Sequence, residues 1–400
     1  LTDQHIDIRP ITEEEWPEWA RAGTRAFGGR FDPADESQIR GIIEIDRSLG
    51  AFHNGRIVGT TTAHTLELTI LSRHVPFALV DAVSVQPTHR RRGLLNRMMK
   101  LQLEEFQERG EFLAGLTATE SSIYGRFGFG IASWGENWTI SRDHTEILNV
   151  PQQTGETRFV DPEEMRSIWP QIFERVRHER NGMFSFPDPF WDLFQHDPEQ
   201  WRGGASGFFH VVYETDGGPT GCVSYRLQSG VVIVNMLLGE NLEAERALWS
   251  FCFGIDLMTE IRALARPVDD PLPWLLINTR KLERSVRDEL WLRLVDVPAA
   301  IEARSYDSEA RVVIEVRDQF CPWNQGRYEM DVSPDGALCK QTTRSPDISL
   351  DVSELGAAYL GGVTLETMRR SGRVDETTSG AVAMLDRALA VDRQPWIIDM

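Results

Sequence analysis

The sequence predicts a mixed α/β protein of the α+β type, built from about three domains. Three observations lead there. The chain has 400 residues, against roughly 100–200 per domain. Hydrophobic residues make up 41% and charged residues 26%, the mix of a globular chain rather than a disordered one. Strand-like and helix-like runs alternate along the chain and are joined by short turns. Their order recurs weakly in the second third, without a residue-level repeat.

The elements run in order. Asp7, Ile8 and Arg9 read as a short strand, and residues 13–27 as a helix with Thr12 as N-cap and Glu15 three positions on. Residues 50–58 read as a hairpin whose Asn54-Gly55 pair suits a type I′ turn, and 59–71 continue in β-prone Thr, Leu and Ile. Residues 77–85 (FALVDAVSV) are another strand. Residues 93–109 are helical, with Leu94, Leu95, Met98, Leu101 and Phe106 at helical spacing, and 112–116 are a buried strand. The polar stretch 149–157 (NVPQQTGET) reads as a linker. A helix is expected over 162–180, strands over 208–214 and 220–227 about Gly217-Gly218, a strand over 231–238 and a helix over 243–265. In the last third come a strand over 310–316 and a hairpin over 326–332 and 337–342 about Pro334-Asp335-Gly336. Residues 348–350 precede a helix through 354–360 capped by Asp351 or Ser353, and 380–389 form a last helix.

Composition excludes several function classes. Sixty-one acidic residues against 42 Lys plus Arg give a formal charge of −19, which argues against nucleic acid or an anionic membrane surface as partner. It is compatible with cationic substrates. Cys222, Cys252, Cys321 and Cys339 form no C-x-x-C pair, and the nine histidines show no ligand spacing, so no structural metal is expected. Reduced thiols and a cytoplasmic location are the corresponding expectations. The opening LTDQHIDIRP has neither a basic nor an apolar signal region, and the longest apolar run, 230–239, is far short of the ~18–20 residues of a spanning helix.

The informative stretch is 81–96, DAVSVQPTHRRRGLLN. A strand ends at Val85, Gln86-Pro87 breaks it, and a basic turn with Gly93 leads directly into a helix. The N–H groups at a helix start are unsatisfied and that end is electropositive. With Arg90, Arg91 and Arg92 alongside, the turn suits a phosphate or pyrophosphate, and Gly93 lets the backbone approach it. The motif is neither a Walker loop nor the dinucleotide fingerprint. His89, beside the arginines, reads as a loop residue.

This arrangement resembles the acetyl-coenzyme A site of the GNAT superfamily of N-acetyltransferases, whose signature is Q/R-x-x-G-x-G/A. Arg90 to Leu95 fit it, with Leu95 where the pattern has a small residue. Tyr124-Gly125-Arg126-Phe127-Gly128-Phe129 matches the superfamily's later Tyr-x-x-x-Gly-Phe pattern, one helix and one strand on. RRRGLLNRMM with TATESSIYGRFGFGIA, the segment LWLRLVDVPAAIEAR and the tail VDRQPWIIDM are similar to the Eis (enhanced intracellular survival) acetyltransferases of actinobacteria. The resemblance covers the whole chain. It implies a catalytic, acetyl-CoA-binding GNAT domain over 1–148 and a degenerate GNAT-like domain over 149–295. A sterol-carrier-protein-like domain over 296–400 would deliver the C-terminal tail to the active site. It also implies a homohexamer.

Acetyl transfer to an amine needs a proton acceptor for the amine, a donor for the thioester oxygen and a proton for the leaving thiolate. Tyr124 is the candidate acid. The resemblance implies that Val83, Ser84 and Val85 pair with the pantetheine arm and that Arg91, Arg92, Gly93, Leu94, Leu95 and Asn96 hold the pyrophosphate. Thr119 and Glu120 would lie near the thioester. The tail is apolar almost to its end, Pro395-Trp396-Ile397-Ile398-Asp399-Met400, whereas most termini are polar. The resemblance makes the α-carboxylate of Met400 the general base, and Asp399 would add negative charge for a substrate ammonium. Trp16, Trp19, Phe27 and Phe31 either line the amine site or pack in the core. The expected activity is acetylation of cationic polyamino substrates, aminoglycosides at several positions among them. A lysine or protein acetyltransferase, or a ligand-binding protein with a vestigial GNAT site, are the alternatives.

Overall fold

The computed structural model of the chain describes residues 6–148 and 154–398. It divides into two compact units, one of Leu290–Val391 with the described part of Leu1–Ala132, the other of Ser133–Glu289 with Asp392–Met400, each as far as described.

The first unit contains a seven-stranded mixed sheet in the order Asp7–Pro10, Leu49–His53, Arg56–Ile70, Arg73–Val85, Leu113–Thr117, Leu290–Leu294, Gly130–Ile131. Asn54 and Gly55, both at positive φ, turn the Leu49–His53 hairpin as their sequence demands. The next hairpin, at Leu71 and Ser72, also has positive φ at both residues, with no Gly or Asn to announce it. The expected helix 13–27 is a 3-10 turn, Glu13–Glu15, followed by an α-helix over Trp16–Ala26 with Pro17 in its first turn. Proline suits that place because its missing N–H would have no partner there. The Thr12 N–H donates to the Glu15 carboxylate at 3.0 Å. The helix Leu94–Glu108 buries Leu94, Met98, Met99, Leu103 and Phe106 on one face, and Leu101 of the expected apolar set is exposed.

The same unit carries a five-stranded sheet ordered Gly336–Gln341, Gly326–Ser333, Ala310–Arg317, Ile348–Asp351, Val374–Glu376. The helices Val297–Ala303, Val352–Tyr359, Leu365–Arg370 and Ala381–Leu389 accompany it. Arg304, 2% exposed, ties this region together by donating to the carbonyls of Tyr359 at 3.0 Å and Leu389 at 2.7 Å.

The second unit has a seven-stranded sheet ordered Glu283–Asp288, Trp134–Ser141, Glu260–Pro267, Val231–Gly239, Gly218–Gln228, Phe209–Thr215, Glu156–Val160. Asp161 caps the helix Pro162–Glu179 by accepting from the Glu164 N–H at 2.8 Å. The expected helix 243–265 is corrected: an α-helix spans Leu242–Gly254, and Glu260–Pro267 is a strand. The alanine- and arginine-rich run reads as helical, but its alternating burial matches the two-residue period of a strand paired on both edges. Of the expected linker, 149–153 lie outside the described residues, and Glu156 and Thr157 begin the edge strand.

Two strands lie in sheets that local sequence does not indicate. Trp134–Ser141 comes after the first sheet in sequence but pairs in the second, between Glu260–Pro267 and Glu283–Asp288. Leu290–Leu294 comes after the second sheet but pairs in the first, between Leu113–Thr117 and Gly130–Ile131. Among the described residues no helix is long and apolar enough to cross a membrane. All four cysteines are unpaired and buried, and burial pushes each thiol up.

Gly128 sits at φ 81°, and a Cβ there would overlap the buried Arg293 guanidinium. Arg293 pairs with Asp318 at 2.6 Å. Breaking a buried pair by removing its geometry costs about 3–5 kcal/mol. Gly128→Ala is therefore expected to lower the unfolding free energy by roughly 3 kcal/mol in urea titration; a loss below about 1 kcal/mol would mean that the guanidinium moves aside freely.

Candidate active site

The site begins with two parallel strands that part. Arg73–Val85 and Leu113–Thr117 pair only at Ala78 with Ala114 and Leu79 with Gly115. On its other edge Arg73–Val85 stays paired with Arg56–Ile70 as far as Val85 with Gly59, across a bulge at Ala82, φ 50°. The Gln86 N–H donates to Val58 O at 2.9 Å. Strand alternation then turns the Val83 and Val85 N–H groups to the opposite, unpaired edge. A cavity of about 680 Å³ opens there, with Val83, Ser84 and Val85 in its wall.

The basic turn closes one end. Residues Pro87–His89 form a 3-10 turn, Arg91 lies at φ 62° and Gly93 at φ 74°, and the helix starts at Leu94. A Cβ on Gly93 would meet nothing within 4 Å, so it is the left-handed backbone, not crowding, that selects glycine. Arg91, Gly93, Leu94, Leu95 and Asn96 line the cavity. Arg92 does not, and its guanidinium donates to Thr88 O at 3.4 Å.

The other end is formed beyond Leu113–Thr117. Thr119 and Glu120 lie exposed in the wall, and the short helix Ser121–Tyr124 carries Tyr124 into it. Tyr124 is 6% exposed and packs on Phe127 and Phe129, ring centroids 6.5 and 6.2 Å away. Its hydroxyl makes no side-chain hydrogen bond among the described residues. Burial first, and the Asp81 charge second, push the phenol up from 10.0 to about 12. Asp81 has a half-exposed side chain. Burial would raise its carboxyl, but His64, with Nε2 at 3.4 Å, and the Ala82 N–H outweigh that and hold it below its ordinary value.

Phe27, 60% exposed, lies in the same cavity wall. Trp16 and Trp19 do not: each is 3% exposed and packs in a core cluster that Phe31 joins. The Trp19 indole N–H donates to Leu49 O at 2.8 Å. Asp399 and Met400 lie outside the described residues. The tail before them is anchored in the second unit. The Trp396 N–H donates to Asn181 O at 3.0 Å, its indole N–H to Ala265 O at 2.7 Å, and Ile397 is fully buried.

Sequence reasoning did not assign a role to Ala26, Ile123, Arg126 or Asp81. The first three line the cavity, and Asp81 acts on the phenol. Arg126 and Asp81 stand inside the two quoted motifs, which was the available signal. His89 lines the cavity as well. Its ring meets His53 across 2.8 Å, and burial, then the Arg92 charge, lowers its pKa. Among the described residues no group of three His, Cys, Asp or Glu side chains is placed to hold a metal ion.

Known proteins resemble the chain over nearly its whole length. Residues 7–132 match an acetyltransferase (GNAT) domain, 182–294 a second acetyltransferase (GNAT) domain, and 297–398 a sterol carrier protein domain. An "Uncharacterized N-acetyltransferase" of Streptomyces avermitilis is 38% identical, covering 98% of each chain. The N-acetyltransferase Eis of Mycobacterium tuberculosis is 31% identical over 95% of this chain and 96% of its own. The crystal structure of Eis1 from Mycobacterium abscessus superimposes with TM-score 0.85 at 34% identity, covering 98% of this chain and 99% of that one.

A phenol raised to about 12 stays protonated throughout the neutral range. An ultraviolet difference titration of wild type against Tyr124→Phe is expected to show no ionisation from this residue below about pH 10.5. A midpoint at or below about pH 10 would contradict the buried environment.

Proposed function

The chain belongs to the Eis-type GNAT N-acetyltransferases, and from that premise we propose that it acetylates amines of cationic polyamino substrates, aminoglycosides at several positions among them. That it is an acetyltransferase using acetyl-CoA is given by the family. The substrate and the residue roles are our reading. One observation carries it: the left-handed basic turn at Arg91–Gly93, the unpaired strand edge at Val83 and Val85, and a buried protonated phenol line one cavity.

Acetyl-CoA supplies an acetyl group on a thioester. In this reading the Val83 and Val85 N–H groups bond its pantetheine arm as an added strand would. The helix-start N–H groups beyond Gly93, with the Arg91 guanidinium, hold the pyrophosphate. Tyr124 keeps its proton at neutral pH and offers it to the sulfur as negative charge develops there. The Met400 α-carboxylate, ordinary pKa about 3.3–3.7, takes a proton from the substrate ammonium. The exposed Phe27 ring offers an aromatic face to a cation, and the formal charge of −19 favours a cationic partner. The four unpaired thiols suit a reducing, cytoplasmic setting.

The test is free-CoA release with acetyl-CoA and an aminoglycoside panel. Tyr124→Phe is expected to lower kcat about a hundredfold with the acetyl-CoA KM unchanged, and one glycine added after Met400 to abolish turnover while acetyl-CoA still binds. Full activity of the extended variant would remove the terminal carboxylate from the mechanism. Acetylation of peptide lysines but no aminoglycoside would move the assignment to a protein acetyltransferase. In the same assay, Gly93→Val is expected to raise the acetyl-CoA KM about tenfold, because a β-branched residue resists positive φ.

A further inference from the structure

The second unit holds a cavity of about 420 Å³ between the helix Pro162–Glu179 and one end of its sheet. Ile168, Gln171 and Arg175, at helical spacing, face it from the helix. From the sheet come the turn at Gly217, Pro219 and Thr220 near the start of Gly218–Gln228, and Glu240 just after Val231–Gly239. No residue of its wall belongs to the acetyl-CoA cavity of the first unit.

A bulge sets Thr220 there. Pro219 pairs with Glu214 and Gly221 with Tyr213, so Thr220 stands opposite no residue of Phe209–Thr215. Its carbonyl accepts from the Glu240 N–H at 2.9 Å, which ties the bulge to the end of the neighbouring strand. Gly221 faces the helix Leu242–Gly254, where a Cβ would meet Ala244 and Leu248 at 3.0 Å. Strand alternation then turns Thr220 to the opposite face, toward Pro162–Glu179. Its Oγ1 is buried and has no hydrogen bond among the described residues, a costly state unless a guest supplies one.

The other polar groups carry no net charge and are only partly used. Arg175 Nε donates to Glu240 Oε1 at 2.6 Å, and its Nη2 donates to Pro219 O at 2.9 Å. The remaining guanidinium N–H groups and Glu240 Oε2 make no hydrogen bond among the described residues. The Gln171 amide nitrogen donates to Ser167 O at 2.8 Å, and its oxygen accepts none among the described residues. Donors, acceptors and a hydroxyl thus converge on one space, with Ile168 and Pro219 as its apolar surface. The ion pair is closed on itself, so a charged guest would give up its hydration for no net opposite charge. An apolar guest would leave Thr220 Oγ1 unsatisfied. Adjacent hydroxyls, each both donor and acceptor, suit the whole set. The volume falls within the roughly 300–1,000 Å³ of small-molecule pockets.

We propose that this cavity is a second small-molecule site, which takes a neutral cyclic polyol, a pyranose or a cyclitol. Neighbouring hydroxyls bridge the Arg175 Nη groups and Glu240 Oε2. A further hydroxyl satisfies Thr220 Oγ1, another donates to Gln171 Oε1, and the C–H face of the ring lies on Ile168 and Pro219. The site depends on neither the acetyl donor nor the acceptor amine.

Saturation-transfer NMR titration of the full chain, without acetyl-CoA, tests this with glucose, myo-inositol, cyclohexanol and glucose 6-phosphate. Gly217→Trp closes the rim: Gly217 is exposed, is not at positive φ, and a Cβ there would meet nothing nearer than Thr215 Oγ1 at 3.7 Å. Only binding that this variant removes is counted, because the basic turn of the first unit also suits a phosphate. Glucose or myo-inositol is expected to saturate, with cyclohexanol and glucose 6-phosphate about tenfold weaker or worse. Thr220→Val is expected to weaken the polyol about tenfold, and both it and Gly217→Trp to keep the wild-type thermal melting curve. Glu240→Gln, which uncovers the Arg175 charge, is expected to make glucose 6-phosphate bind more tightly than glucose. The proposal is overturned if neither polyol saturates wild type, if glucose 6-phosphate binds wild type better than glucose does, or if the polyol binds Gly217→Trp or Thr220→Val as it binds wild type.

Discussion

The first unit turns on the guanidinium of Arg293. It is fully buried, bonds Asp318 at 2.6 Å and donates to the Phe127 carbonyl at 2.5 Å. It occupies the space that Gly128 leaves by lacking a side chain. One side chain thus joins the inserted strand Leu290–Leu294, the sterol-carrier-like region and the turn that carries Tyr124. A buried charge is stable only with its partners in place, so the position of the Tyr124 turn is coupled to residues nearly two hundred positions away in sequence. The glycine of the YGRFGF motif therefore serves this packing as much as it serves a turn.

The two GNAT regions show how one backbone device accepts different chemistry. In each, two parallel strands pair for a few residues and then separate, leaving a strand edge without a partner. In the first region the space is bounded by a basic left-handed turn and a helix start, both suited to a phosphate. In the second the turn is acidic, and the opening is lined by tryptophan and phenylalanine from the helices Pro162–Glu179 and Asp188–Gln195. Backbone geometry makes the opening, and a handful of side chains decide what enters it.

Much of the first site was legible because its signals are local. A broken strand, a run of arginines, a glycine and the start of an amphipathic helix lie within sixteen residues, and each has a direct conformational meaning. The Asn54-Gly55 hairpin is legible for the same reason. The hairpin at Leu71 and Ser72 was not, since neither residue favours positive φ. Nor was the strand Glu260–Pro267, whose alanines and arginines are good helix formers overridden by pairing on both edges. Phe27 and Trp16 looked alike as aromatic residues near a helix, yet one is exposed at the cavity and the other is core.

Sequence alone determined the fold class, the basic phosphate-type turn and the aromatic motif with Tyr124, because these depend on dihedral preferences and periodicities within a few residues. Tertiary structure decided the rest. It raised the phenol by burying it and setting Asp81 nearby, it inserted Leu290–Leu294 into the first sheet and Trp134–Ser141 into the second, and it gathered the aromatic cavity from segments far apart in the chain. Each of these arises from pairing or desolvation between residues far apart in the chain, and no local pattern records such contacts.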